Sequence, residues 1–377
     1  MSILIFIVSI VVLIVVHEFG HFVAAKLSKM RVDEFGLGYP PRAAVVGKIG
    51  RTILSLNWLP LGGFVKIFGE DPSTELGAGG AESDIPSKAR DSFSSKTRLA
   101  QAIVLIAGIA MNLLFAFVLI TSALIAGTPR ALSENEIVGA RNTELAIASV
   151  LPGTPAARAG LIPGDIILSA EDGHYAFSGA NPVEFTKFVT NGKGNATIAL
   201  SVRHERGKEE TLFVRPVTGV VTSDPSRPAL GVEVATIGVM PLSLFQAIPE
   251  GASLTWSAIK LTATGLLHFF SSIFTLSADF SQVAGPVGIV GIVGAEAAHG
   301  FGNLFSIMAI ISINLALINL IPIPALDGGR LLFVIIESII RRPIKASIAR
   351  SVNSIGFIFL ILLMLVVTAH DIFRIVG

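Results

Sequence analysis

The chain has 377 residues, of which 52% are hydrophobic and 15% charged; a typical soluble domain is about 25% charged. Lys and Arg nearly balance Asp and Glu, leaving a net charge of +1, and there is no cysteine. This composition excludes a disordered chain, a nucleic-acid partner, disulfides and thiolate metal sites, and with a mean hydropathy of +0.73 it points to a membrane protein.

Four segments are long and apolar enough to cross a bilayer, which takes about 20 residues. The first runs from Ile3 to Ala25 and ends in His17-Glu18-Phe19-Gly20-His21. No Lys or Arg precedes it, whereas Lys26, Lys29 and Arg31 follow it, so it reads as a span and not as a cleaved signal. Residues 52–58 and 63–67 flank Leu59-Pro60-Leu61-Gly62, which predicts a β-hairpin at about 52–68. Residues 69–96 are rich in Gly, Ser, Asp and Glu, without periodicity, and read as a flexible loop. The second span covers Leu99 to about Ala126 and closes an N-terminal membrane part, 1–127.

Short β-type runs at 146–151, 165–170, 196–203 and 210–215 predict a small mainly-β domain at 140–218. A connector, 219–300, follows. Within it, residues 251–275 carry polar side chains at Ser253, Ser257, Lys260, Thr264, His268, Ser271 and Thr275. That spacing of three and four makes one stripe of an amphipathic helix, in the interface or against a bundle, and not a fifth span. The C-terminal membrane part, 301–377, holds a third span at Leu304–Ile321 and a fourth at Ile355–Ala369.

Orientation follows the basic residues. Residues 26–98 contain eleven Lys and Arg, and Arg330, Arg341, Arg342, Lys345 and Arg350 lie between the third and fourth spans. Both of these loops are expected in the cytoplasm, with both termini and the mainly-β domain outside.

His17-Glu18-Phe19-Gly20-His21 has the form H-E-x-x-H. Residues four apart share a helix face, so both imidazoles can bind one zinc ion while Glu18 serves as general base. Ionisable groups within an apolar span are costly and mark function. A catalytic zinc takes three protein ligands. His17 lies about fourteen residues into the first span, roughly 21 Å deep, which places it in the inner leaflet. The third span runs inward to the same side and ends near Asp327, which makes Asp327 the expected third ligand. His174, His204, His268, His299 and His370 fall outside the first span and, by this topology, do not reach that leaflet. Pro322 and Pro324 break the helix from about Asn319, and irregular backbone at membrane depth belongs beside protein or water. Asn319 is the candidate substrate-binding residue there, through its amide.

These residues resemble the site-2 protease family of intramembrane zinc metalloproteases, most nearly the bacterial branch that cleaves anti-sigma factors. The first motif is His17 to His21. The second, Asn319-Leu320-Ile321-Pro322-Ile323-Pro324-Ala325-Leu326-Asp327-Gly328-Gly329, matches N-x-x-P-x-P-x-L-D-G-G. Phe35–Pro40, Leu61–Lys66 and Pro286–Ile289 are similar to further segments of the family. Ala107-Gly108-Ile109 departs from the Ala-Gly-Pro of many relatives. Val150–Ala157 and Ala159–Ile167 resemble a PDZ domain, present once.

The resemblance implies a polytopic α-helical membrane protein of four transmembrane helices, with an inserted mainly-β PDZ domain and a membrane-associated β-hairpin. It further implies zinc on His17, His21 and Asp327, and a bacterial cytoplasmic (inner) membrane location. The implied partners are a pre-trimmed single-span membrane protein, membrane lipid, and a peptide or substrate ectodomain at the PDZ domain. Two other readings stand beside it: a membrane-anchored metalloprotease acting on soluble or misfolded chains, and an inactive PDZ-bearing adaptor. An ion-relay transporter is a third.

Overall fold

The computed structural model describes residues 1–70, 90–191, 197–204, 207–220, 224–275 and 285–376. The chain divides into two units, Met1–Ala123 with Leu244–Gly377, and Leu124–Ser243.

The first unit is built on apolar helices. Four of those described are long and apolar enough to cross a membrane: α1 (Ser2–Leu27), α2 (Arg98–Ala126), α8 (Phe301–Leu320) and most of α10 (Ala346–Val376). The helix α6 (Leu244–Phe274) is not among them. It begins seven residues before the expected 251 and carries Pro249 inside it. Two shorter helices complete the unit. The apolar α7 (Pro286–Ala298) starts on the Pro-Val-Gly-Ile stretch, and α9 (Asp327–Ile340) starts on the second motif. Helix α7 packs along α1, and α6 along α8. Ala116, Leu119, Met308, Ala309 and Ile313 form a buried seam between α2 and α8. A second core gathers Ala24, Ala25, Met30, Val32, Ile67, Phe93, Val104, Leu105 and Val334.

The hairpin differs from the expectation. Its strands are β1 (Val32–Ile49) and β2 (Thr52–Ile67), and its turn is Gly50-Arg51, closed by the pair Ile49 and Thr52. Gly50 supplies the positive φ, +61°, that a tight two-residue turn needs. Leu59–Gly62, expected as the turn, lies within β2. The two arms expected to pair with each other are held apart. Phe35 pairs with both Leu54 and Val65, and Gly36 with both Ser55 and Phe64, so residues 34–37 lie between them.

Most of the expected flexible loop, residues 71–89, lies outside the described residues. Its end at 90–96 is ordered, contrary to the reading from composition. Phe93 is buried and its N–H bonds to Phe68 O, while Arg31 N–H bonds to Asp91 O.

The second unit is a seven-stranded sheet. Its strands are β3 (Pro129–Ala131), β4 (Arg141–Val150), β5 (Ile166–Glu171), β6 (Ala176–Phe177), β7 (Ile198–Arg203), β8 (Glu209–Val214) and β9 (Val232–Val239). They run in the order β3-β9-β4-β5-β7-β8, with β6 beside β5. Two one-turn helices, α3 (Glu134–Ile137) and α4 (Pro155–Arg158), precede and follow β4. Period-two alternation buries Ile198, Leu200 and Val202 of β7, and α5 (Pro182–Asn191) adds Phe185 and Val189 to the same core. The sheet extends beyond the expected 140–218. Strand β9, assigned to the connector from its Gly, Pro and Asp content, pairs with β4 from Arg141–Val239 to Val150–Val232. Short β-branched runs separated by polar loops carry too little periodicity to show such a pairing in advance.

Candidate metal centre

Helix α1 presents His17 and His21 one turn apart, both buried. It can do so because α1 and α2 touch backbone to backbone. A Cβ on Gly20 would sit 2.8 Å from Ala107 C and 2.9 Å from Gly108 Cα. A Cβ on Gly108 would sit 2.7 Å from His21 Cε1 and 2.9 Å from His17 Cε1. Only glycines allow this crossing.

The third residue arrives from the break in the chain after α8. Helix α8 ends at Leu320, and residues 321–326 run through Pro322 and Pro324 without helical structure. Asp327 then opens α9, followed by two glycines with no room for side chains. A Cβ on Gly328 would meet the carbonyls of Leu320 and Ile321, and one on Gly329 the carbonyl of Ile323. The Asp-Gly-Gly sequence therefore lets the first turn of α9 fold back on the loop, which brings the carboxylate to the histidines.

Asp327 Oδ2 lies 2.9 Å from His17 Nε2 and 3.2 Å from His21 Nε2, and the two Nε2 atoms are 3.2 Å apart. Among the described residues this is the one group of three metal-ligating side chains that converge. Zinc bonds of about 2.0–2.1 Å from tetrahedral ligands set those ligands about 3.3 Å apart, close to the spacing observed. The protonation pattern also fits. His21 Nδ1 is 2.8 Å from Val104 O, which only accepts, so Nδ1 carries the hydrogen. In the neutral ring the lone pair on His21 Nε2 then faces a carboxylate oxygen and a second imidazole nitrogen. Such a convergence of acceptors calls for a cation. The donor set, two imidazoles and a carboxylate without thiolate, suits zinc.

Glu18 follows His17 and is half-buried. Strand β2 passes beside it, so that a Cβ on Gly63 would lie 3.4 Å from Glu18 Cγ and 3.3 Å from Ile14 Cγ2. Asn319 is half-buried in the last turn of α8, eight residues before Asp327.

Two residues of this site were not anticipated from the sequence. Asn112 of α2 is fully buried, with its side-chain Nδ2 3.2 Å from His17 Nδ1 and its Oδ1 without a hydrogen-bond partner among the described residues. Exchanging the two ends of the amide satisfies both groups: Oδ1 then accepts from His17 Nδ1–H, and His17 Nε2 keeps its lone pair for a metal. Ser312 Oγ in turn donates to Asn112 O at 2.8 Å, tying α8 to α2 at the same level. The signal for Asn112 was available, since an amide in mid-span must find a partner.

The sequence profile of peptidase family M50 matches residues 5–363. The chain belongs to this family. It is 34% identical over 371 residues to a protein of Nostoc sp. named a zinc metalloprotease, covering 96% of this chain and 93% of that one. It is 32% identical over 361 residues to a similarly named protein of Clostridium perfringens, covering 96% and 95%. The membrane metalloprotease ARASP of the chloroplast of Arabidopsis thaliana shares 30% identity over 363 residues, covering 95% and 76%. Among solved structures, the PDZ domain of an SdrC-like protein of Listeria monocytogenes aligns with 24% of this chain and 85% of its own length. The identity is 22% and the TM-score 0.20. As an M50, or site-2 protease, family member the protein is a zinc metalloprotease, and four of its described helices are long and apolar enough to cross a membrane.

Proposed function

We propose that this M50 protease cleaves the transmembrane segment of a single-span membrane protein already trimmed on its outer side, in the manner of anti-sigma-factor processing. The observation that carries the reading is the place of the centre. Two histidines on an apolar helix and an aspartate at a break after another converge in a buried spot. A protease for soluble chains has no reason to keep its ionisable residues there.

In this reading His17, His21 and Asp327 hold the zinc, with Val104 O and Asn112 fixing the two imidazoles. Bound zinc would supply Lewis-acid polarisation of the scissile carbonyl and lower the pKa of water. Glu18 takes the proton of the attacking water and delivers it to the leaving amine nitrogen. Asn319 holds a backbone group of the substrate. A helical segment must be unwound before cleavage, because its carbonyls are tied up in hydrogen bonds. A strand edge close to Glu18 is suited to receive it by strand addition, and β2 runs past Glu18 at Gly63. The hairpin exposes Tyr39, Val45, Val46, Leu56, Trp58 and Leu59, an apolar set that favours contact with the bilayer over water. The Leu124–Ser243 unit acts as a PDZ-type peptide-binding filter. The enzyme sits in the bacterial inner membrane, with this unit and both termini outside and the zinc in the inner leaflet.

Glu18→Gln should abolish cleavage of a model single-span substrate while zinc content stays stoichiometric. Undiminished cleavage by this variant would sink the mechanism. Cleavage confined to soluble chains by the native enzyme would replace the proposed substrate class.

A further inference from the structure

The last span has no chemistry in the reading above, yet one of its faces is pressed against the second motif. Asn353 Oδ1 accepts the N–H of Ala325 at 3.3 Å. Gly356, three residues on and on the same face of α10, is buried although its neighbours are exposed. A Cβ there would lie 2.6 Å from Pro324 Cβ and 2.8 Å from Pro324 C, so the helix backbone rests directly on the loop.

The residue held in this way is unusual. Ala325 has φ +77°, in the left-handed region where an L residue with a Cβ is disfavoured. It lies two residues before Asp327. Its conformation turns the chain after Pro324 so that Leu326 caps α9 and Asp327 becomes the first helical residue. A strained residue beside a site persists only when its surroundings over-determine it. Here the surroundings are Asn353, which binds the Ala325 N–H, and Gly356, which leaves space for Pro324.

We infer that Asn353 and Gly356 of the last span are positioning residues for Asp327, holding Ala325 in its left-handed conformation so that the carboxylate reaches His17 and His21. The inference rests on Asp327 being a zinc ligand. It makes α10 a working part of the metal centre, acting through the loop and without touching the metal. Asn353 is distinguished from a packing residue because what it opposes is backbone strain at one named position. Glycine at that position carries no such strain.

The test uses the purified full-length protein in detergent, with zinc affinity read by chelator competition and cleavage read separately. Asn353→Ala should weaken zinc binding about ten-fold or more. The double variant Asn353→Ala, Ala325→Gly should recover to within about three-fold of the native protein, because glycine takes φ +77° unaided. Asn353→Asp, which keeps an acceptor oxygen, should bind zinc more tightly than Asn353→Ala. Native zinc affinity in Asn353→Ala overturns the inference. So does a double variant as weak as the single one, which would mark Asn353 as a packing residue. If Asn353→Ala alone misfolds, the double variant still decides, since glycine can rescue it only through the backbone at 325. Asp327→Ala separates the two levels: zinc retained there defeats the ligand assignment itself. Zinc lost there but held at full strength by Asn353→Ala defeats only the inference.

Discussion

Adding one methyl group at Gly108 tests how the metal centre is built. Ordinary van der Waals contact begins at 3.4 Å, and a Cβ at Gly108 would stand 2.7 Å from His21 Cε1 and 2.9 Å from His17 Cε1. The His17 imidazole would therefore have to retreat by about 0.5 Å, and that of His21, whose Nε2 is nearer still, by more than about 0.7 Å. Neither is free to do so. His21 is tied to Val104 O of α2 at 2.8 Å and His17 to Asn112 of α2 at 3.2 Å, so a retreat from α2 stretches both contacts. Alternatively α2 moves away from α1, which carries both of those partners with it. Metal–ligand distances hold to about ±0.2 Å, so either displacement is too large for the site to absorb. Gly108→Ala should lower zinc affinity and kcat/KM each by about 100-fold, the scale of a misplacement approaching 1 Å. Overpacking costs about 1–3 kcal/mol, which leaves the protein folded. Gly265→Ala, where a Cβ meets nothing within 4 Å, is the matched control. The assay is chelator competition for zinc together with cleavage of a model membrane substrate. A Gly108→Ala enzyme within about three-fold of the native one in both measurements would refute the proposed crossing of α1 and α2 at the metal.

Three further outcomes follow from the same geometry. Asn112→Ala removes the partner of His17 Nδ1 and should cost about 10–100-fold in zinc affinity, with Asn112→Asp recovering part of it as a negatively charged acceptor. Asp327→Ala should release zinc, and with it all cleavage, while leaving the Leu124–Ser243 unit intact by circular dichroism. In that unit Glu136 is held down to about 2 from its ordinary 4.5, first by the guanidinium of Arg130 and then by the Ser133 N–H. A depressed carboxylate pKa stabilises the fold above about pH 4.5, and that stabilisation is lost as pH falls toward 2. Hydrogen-exchange protection of residues 130–138 should therefore decline across that window in the native chain and not in Glu136→Gln. Equal decline in both would remove the ion pair as the cause.

Much of this was legible in the residues. Long apolar runs identify four helices because a bilayer-length hydrophobic segment has few other readings. H-E-x-x-H places its two histidines on one side of a helix through helical periodicity alone, since residues four apart share a face whatever surrounds them. Prolines at 322 and 324 mark the end of α8 because they cannot continue a helix. What stayed hidden depended on pairings between distant segments. Strand β9 belongs to the sheet because it meets β4, and the arms of β2 are separated because residues 34–37 lie between them. Residues 90–96 look like a loop by composition and yet bury Phe93 against the helices.

The sequence by itself determined that a zinc-type donor pair lies inside an apolar helix, and it nominated a distant aspartate to complete the set. Only the tertiary structure decided that the aspartate arrives, at 2.9 and 3.2 Å, and what brings it there. The reason is physical. A ligand's chemistry is a property of one side chain, whereas its aim depends on backbone contacts that leave no periodic trace: glycines at 20 and 108 that let two helices touch, an asparagine at 112 that fixes a ring, and an alanine at 325 held in the left-handed region by a residue of the last span.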